Sequence, residues 1–194
     1  GSRDTVLLPA SLWAKVAERA RDALQEYHRR YPLRRGAPRE DVRTRLHLNE
    51  AASTLVLQRL IREGVVLEEE AFLRLPEHKV VISPAQRQAL ESYVKLLGSE
   101  PYSPPTAEPP EPDLLQLLVE EGKVVRVSDS VVFTAEAYQQ MVDRIVQHLK
   151  SEGKITVGQV RDMFNTSRKY TLALMEHMDQ RHITRRVGDE RVLR

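Results

Sequence analysis

The chain of 194 residues has no cysteine, which excludes disulfide scaffolds, cysteine zinc sites, thiolate nucleophiles and iron–sulfur clusters together and fits a reducing, cytoplasmic setting. Glycine occurs only 8 times and aromatic residues make up 5%, too little for the turns and cores of a large all-β protein. No apolar run approaches the roughly 18 to 20 residues of a membrane-spanning helix, so no membrane partner is expected. The start, Gly1-Ser2-Arg3-Asp4, has no signal-peptide apolar region. Gly1-Ser2 reads as a cloning remnant, and Thr5 to Leu8 begins in mid-pattern, so the chain is expected to be a piece of something longer. An excess of charge is lacking too: 30 Lys+Arg against 28 Asp+Glu leave +2. With 41% hydrophobic and 30% charged residues the chain reads as folded, and any basic surface must be local.

What is present is helical spacing. Apolar residues Leu12, Val16, Ala20, Leu24 and Tyr27 predict a helix over Leu12 to Arg30 with Ser11 as N-cap. A short helix is expected over Pro38 to Leu46, and a third capped by Asn49 and closed by Gly64. The β-like runs Val65 to Leu67 and Ala71 to Leu75 follow. Helix, helix, helix, hairpin then recurs, the signature of a tandem array. Ser83-Pro84 opens a helix through Leu97, and Asp113 to Glu121 forms another. Lys123 to Val127 and Ser130 to Phe133 form a hairpin. Between the two helices lie residues 100 to 112, of which six are proline, an extended loop or linker that replaces a middle helix.

The third repetition is the most regular. Thr134 opens a helix that Gly153 stops, and Ile155 to Val157 is a short strand. Helices over Gly158 to Phe164 and Ser167 to Arg181 flank a tight turn at Asn165, and a hairpin over Ile183 to Val187 and Arg191 to Leu193 turns at Gly188-Asp189. The expected fold is therefore mainly α with short β-hairpins, a tandem array of winged-helix (helix-turn-helix plus β-wing) domains. Its units are 1–80, 81–133 and 134–194, with net charges of +3, −4 and +3.

Signatures of catalysis are missing. There is no Gly-x-x-x-x-Gly-Lys-Ser/Thr loop, Gly-x-Ser-x-Gly elbow or His-Glu-x-x-His pair, so phosphate cradling, ester hydrolysis by that route and zinc proteolysis have no support. The six histidines are scattered, His177 and His182 standing five apart, a poor fit to one helical face. Glu68-Glu69-Glu70 reads as a solvated turn sooner than a cation site. No catalytic, cofactor or metal site is expected.

Arginine clusters are the informative feature, because the guanidinium fork suits phosphate oxygens. Arg29, Arg30, Arg34, Arg35, Arg39, Arg43 and Arg45 fall within seventeen residues, a possible secondary basic patch; Arg181, Arg185, Arg186, Arg191 and Arg194 fall within the last fourteen. Either cluster reads as a nucleic-acid patch or as a solvated face paired with acids such as Glu40, Asp41, Asp189 and Glu190. The C-terminal unit adds geometry: its second helix starts Ser167-Arg168-Lys169-Tyr170, placing two cations at the positive end of a helix dipole. Ser167 would cap or donate to a phosphate, and Tyr170 would stack on an unpaired base or pack in the core. Arg185 and Arg186 alternate in direction on the first wing strand, and Arg191 faces them across the hairpin. A DNA-binding regulator and a protein-interaction array are the rival readings, and no dimer element is evident.

The stretch Ile155-Thr-Val-Gly-Gln-Val-Arg-Asp-Met-Phe-Asn-Thr-Ser-Arg-Lys-Tyr170, with Leu174 to Asp179 and Thr184-Arg-Arg-Val-Gly-Asp-Glu-Arg191, resembles the last winged helix of the SelB family, the bacterial selenocysteine-specific elongation factors. His28 to Glu40 is similar to the family's second winged helix. The resemblance implies the second to fourth winged helices of a C-terminal extension, with the first lying before Thr5. It implies binding of the selenocysteine insertion hairpin (SECIS) of selenoprotein mRNA to direct UGA recoding in translation. The implied RNA contacts are Arg168 and Lys169 on the backbone and the wing around Arg185, Arg186, Gly188 and Arg191. It also implies a GTPase part upstream, which would hold GTP and magnesium and carry selenocysteinyl-tRNA to the ribosome. This chain itself would be a monomeric RNA-binding part.

Overall fold

The computed structural model describes residues 9–106 and 108–194; the run Thr5 to Leu8 and the expectations placed on it lie outside them. The described chain divides into two compact units at Ile82/Ser83. Each repeats helices followed by a small antiparallel sheet.

In the first unit α1 (Ala10–Arg30) buries Val16, Ala20, Ala23, Leu24 and Tyr27 along one stripe, the pattern its spacing dictates. Its N-cap is Pro9 and makes no side-chain bond, so Ser11 lies inside the first turn: with Pro9 fixing the backbone at the boundary, the cap falls two residues before the hydroxyl expected to supply it. Next come β1 (Ala37–Pro38), α2 (Arg39–Arg45) and α3 (Glu50–Arg62), the last capped by the Asn49 side chain, which accepts from Ala52 N. β2 (Leu67–Glu69) and β3 (Phe72–Arg74) complete a sheet of order β1-β3-β2. The strand β1 was not expected from sequence, since two residues carry no periodicity. Gly36 is what admits it: a Cβ there would stand 2.7 Å from the Leu73 carbonyl oxygen, a distance only glycine permits. Leu24, Leu46, Leu57, Leu60, Val66 and Leu73 form the dry centre.

One polar pair crosses this core. Leu75 N donates to Nε2 of buried His28, whose ring stacks at 3.7 Å and 1° on His78, and His78 Nε2 lies 2.7 Å from the Arg34 carbonyl oxygen, positioned to donate to it. Burial, then the neighbouring His78, pushes the His28 imidazole from 6.5 down to about 4, with Glu77 opposing and Arg74 adding to the depression. The folded pKa lies below the unfolded one, so the unfolded chain takes up the proton first. The stabilisation is whole above the unfolded pKa and is lost as pH falls towards about 4, at a cost on the order of 2 kcal/mol. Urea midpoints of the first unit's transition are expected to drop across that range, and His28→Gln, which keeps an acceptor but cannot titrate there, is expected to flatten the drop.

In the second unit α4 (Pro84–Ser99) opens with a capping box between Ser83 and Gln86, and α5 (Pro112–Glu120) follows the proline-rich segment. β4 (Val124–Ser128) and β5 (Val131–Thr134) form a hairpin with a bulge between Arg126 and Ser128. α6 (Ala135–Glu152) is capped by Thr134 and ends at Gly153 with φ 80°, a left-handed residue where glycine costs least. Then come β6 (Ile155–Thr156), α7 (Val157–Phe164), α8 (Arg168–Gln180), β7 (Thr184–Val187) and β8 (Glu190–Leu193), the strands ordered β6-β8-β7. Val127, Val131 and Phe133 of the hairpin share one core with Met141, Ile145, Ile155, Phe164, Leu174 and Met178. The segments expected as separate units 81–133 and 134–194 thus lie in one compact body, the hairpin of the first sharing the core of the second.

Candidate nucleic-acid interface

The helix-turn-helix is built by α7, a tight turn and α8. Thr156 caps α7 in a second capping box with Gln159, and Asn165 ends it at φ 47° in the left-handed region, which asparagine tolerates better than most residues. Ser167 then takes the N-cap position of α8 without a side-chain cap bond, and is exposed. The amide end of α8 therefore faces outward with its orphan donors and dipole uncapped by that hydroxyl, the arrangement that attracts an anion.

Arg168 and Lys169 stand on the first turn of α8, both exposed. Arg168 has no ion-pair or hydrogen-bond partner among the described residues, and the Lys169 ammonium lies 5.5 Å from the ring centre of Tyr170. An unpaired guanidinium on the surface keeps its whole set of donors for a ligand. Tyr170, offered by sequence as a base-stacking residue or a core residue, is the latter: its hydroxyl donates to the Pro104 carbonyl at 2.7 Å and its half-buried ring lies 6.1 Å from Phe133.

The wing supplies a second basic group. Arg185 is exposed and has no ion pair among the described residues, while Arg186 donates from Nε to the Gly188 carbonyl at 2.8 Å and stands 3.7 Å from Asp189. Gly188, at φ 60°, makes the turn. Arg191 is a correction to the expected contact surface. It is only 4% exposed, and its Nε donates at 3.1 Å to Asp179, whose other oxygen accepts from Thr184 at 2.6 Å. Its place in β8 turns it under the wing, where a carboxylate at the end of α8 neutralises it, so it anchors the hairpin and meets no ligand. Arg168 and Asp179 are eleven residues apart on α8, about 16 Å along its axis. The helix start and the wing root are thus well separated along α8.

The N-terminal arginines are mostly occupied. Arg29 pairs with Glu26, Arg35 with Glu69 and Arg43 with both Glu40 and Glu50, and Arg39 with Glu68. Arg34 donates to the Tyr27 hydroxyl and lies 4.0 Å over Tyr31, with Arg30 at 5.4 Å on the same ring. These pairs fit the solvated, ion-paired reading of the cluster: Glu26 lies on α1 itself, and the other acids come from β2, α2 and α3. His177 lies 3.0 Å from the Tyr138 hydroxyl, and burial, then Arg181, lowers its pKa below the ordinary histidine value. It packs against the Tyr138 ring edge-on at 5.3 Å.

Sequence reading missed the groups that hold the turn. Thr166 Oγ1 donates to the Tyr102 carbonyl at 2.6 Å and lies 2.8 Å from Ser103 Oγ. Nothing in the local pattern joins residues more than sixty positions apart.

Two family models described as elongation factor SelB, winged helix, match the chain: one for the second such domain over residues 21–75 and one for the third over residues 147–193. The selenocysteine-specific elongation factor of Desulfomicrobium baculatum is 28% identical over 186 residues, 88% of this chain and 29% of that protein. Its counterpart from Escherichia coli strain K12 is 24% identical over 198 residues, 97% of this chain and 32% of that protein. The chain therefore spans less than a third of the length of these relatives. Among solved structures, the mRNA-binding domain of E. coli elongation factor SelB in complex with SECIS RNA aligns at a TM-score of 0.44 and 16% identity, over 58% of this chain and 99% of that one. A bacterial selenocysteine-specific elongation factor aligns at 0.46 and 17%, over 95% and 30%. The two winged-helix matches, in chain order and together covering just over half of the residues, establish that the chain belongs to the SelB family.

Proposed function

We propose that this chain is the messenger-RNA-binding part of a selenocysteine-specific translation elongation factor, and that it grips the selenocysteine insertion hairpin through its C-terminal winged helix. The single observation that carries the reading is the start of α8, where exposed Arg168 and Lys169 surround an outward-facing helix N-terminus in a domain matched to SelB. A-form RNA hides its base edges in a deep, narrow groove, so a phosphate grip of this kind sets register while loop or bulged bases set specificity. The wing, through Arg185, supplies the second point.

In this reading the chain carries three winged-helix segments, 1–80, 81–133 and 134–194, the last two packed as one body, and does no catalysis. Hydrolysis of GTP with magnesium, carriage of selenocysteinyl-tRNA and docking on the ribosome belong to other parts of a longer cytoplasmic protein. This part acts as a monomer.

The experiment is a salt-titrated binding assay on a selenoprotein mRNA hairpin, the same hairpin with a scrambled loop, and duplex DNA of equal length. Tight binding to the native hairpin, with a salt slope of a few phosphate contacts, is expected. Equal weak binding to all three would reduce the site to a generic basic surface, and preference for duplex DNA would favour a transcription regulator.

A further inference from the structure

The proline-rich segment between α4 and α5 is more than a linker. It leaves α4 through a turn in which Ser103 N donates to the Glu100 carbonyl at 3.1 Å, and runs along the helix-turn-helix. Tyr102 is its anchor. The ring lies 5.1 Å from buried Phe164 at the end of α7, and the hydroxyl donates to Gln140 of α6 at 3.0 Å. Its carbonyl accepts from Thr166 at 2.6 Å, in the turn itself. A hydroxyl has one hydrogen, so with Thr166 donating to Tyr102, the 2.8 Å contact to Ser103 must be donated by Ser103 Oγ. Two residues on, Pro104 takes the Tyr170 hydroxyl at 2.7 Å, on the first turn of α8. Three consecutive strap residues thus bind three successive stations: the end of α7, the turn, and the start of α8.

These stations bracket Ser167, Arg168 and Lys169, which themselves touch nothing of the strap in any bond described above. Within the turn, backbone bonds run from Thr166 N to the Arg161 carbonyl at 3.1 Å and from Asn165 N to that of Asp162 at 3.3 Å. Asn165 sits at a positive φ of 47°, and the α8 N-cap lacks the side-chain bond that usually fixes a helix entry. Extended proline-rich chain is stiff, so the strap adds side-chain anchorage at a helix entry that has no side-chain cap of its own.

We propose that the segment Tyr102–Pro104 is a working part of the RNA grip, with Thr166 as its positioning residue: the Thr166 hydroxyl, tied to Tyr102 and Ser103, sets the direction in which Arg168 and Lys169 leave the turn. This rests on the reading of α8 as the RNA-binding helix. A cation held in register meets its phosphate without paying for orientation; one on a loosened turn spreads over many directions.

The test compares Thr166→Val, which keeps the shape and deletes the hydroxyl, with Thr166→Ser, which keeps the hydroxyl. Both are made in the whole chain and assayed with the selenoprotein mRNA hairpin well below the melting temperature. Thr166→Val is expected to weaken binding about tenfold and to reduce the salt slope by about one phosphate contact, and Thr166→Ser to restore both. A purely structural role would lower the melting temperature and leave the dissociation constant and slope of the folded protein unchanged. That result would overturn the proposal. Should Thr166→Val not fold, Tyr170→Phe removes the strap's bond to α8 alone and is expected to weaken binding about threefold in the same assay; unaltered affinity there would overturn it equally. Wild-type chain that ignores the hairpin, or Arg168→Ala that binds it normally, would remove the α8 reading and this inference with it. Arg168→Ala weakened beside an unaffected Thr166→Val would remove the inference alone.

Discussion

Arg168→Ala combined with Lys169→Ala is expected to weaken hairpin binding about 30-fold or more at moderate salt, with Arg168→Ala alone costing more than about 1 kcal/mol. Arg168 is exposed, heads a thirteen-residue helix and makes no intramolecular pair among the described residues, so removing it sacrifices nothing inside the fold. The thermal melt should therefore stay native. The plot of log affinity against log salt should lose about 0.9 in slope for each phosphate contact deleted. Normal affinity in natively melting variants would dismiss the helix start as the grip and shift attention to the wing. Arg185→Ala is the natural companion, since that guanidinium stands on the other side of the about 16 Å separating helix start from wing root.

The largest effect on stability is expected at Asp179. Its two oxygens serve the Thr184 hydroxyl and the Arg191 guanidinium, and the Arg191 side chain is 5% exposed against 24% for its partner. Asp179→Ala would leave a charged arginine buried without a counter-charge and a threonine hydroxyl without an acceptor. Breaking such a pair from one side costs about 3 kcal/mol or more. Arg191→Met should cost less, because the carboxylate left behind is the better solvated member. The double variant Asp179→Leu/Arg191→Met should recover much of the loss, since neither charge remains to be desolvated. Urea unfolding followed by the transition of the second unit checks all three; additive losses in the double variant would show that the pair is not the source of the effect. The prediction also separates anchoring from recognition: Arg191→Met should leave the salt slope for RNA unchanged, because the side chain never reaches a phosphate.

Local chemistry made most of the helical frame legible. Asn49 stands before an apolar stripe and caps α3 as expected, and Ser83 and Thr134, placed at helix openings, accept the same amide bond, while Ser11 does not. Gly153 and Asn165 end helices for the reason their backbone freedom suggests. The start of α8 was equally readable, because a basic pair one turn after a tight turn has only one place to go, the outer end of a helix.

The arginines divide where sequence falls silent. Arg185 and Arg191 look alike along the chain, and both sit on short wing strands. Only the pairing of β7 with β8 against the end of α8 puts one in water and the other on Asp179. The same holds for Arg35 and Arg39, whose partners Glu69 and Glu68 arrive from β2 about thirty positions away. Six prolines in residues 100 to 112 announced an extended path, but not that Tyr102 would lodge by Phe164 and Pro104 by Tyr170. Periodicity and capping act over one or two helical turns, so residue order is enough to set helices, turns and the exposed cations at a helix start. Whether a given charge is neutralised, and whether a linker is a strap, depends on which groups meet across many tens of residues, and only the folded chain brings those groups together.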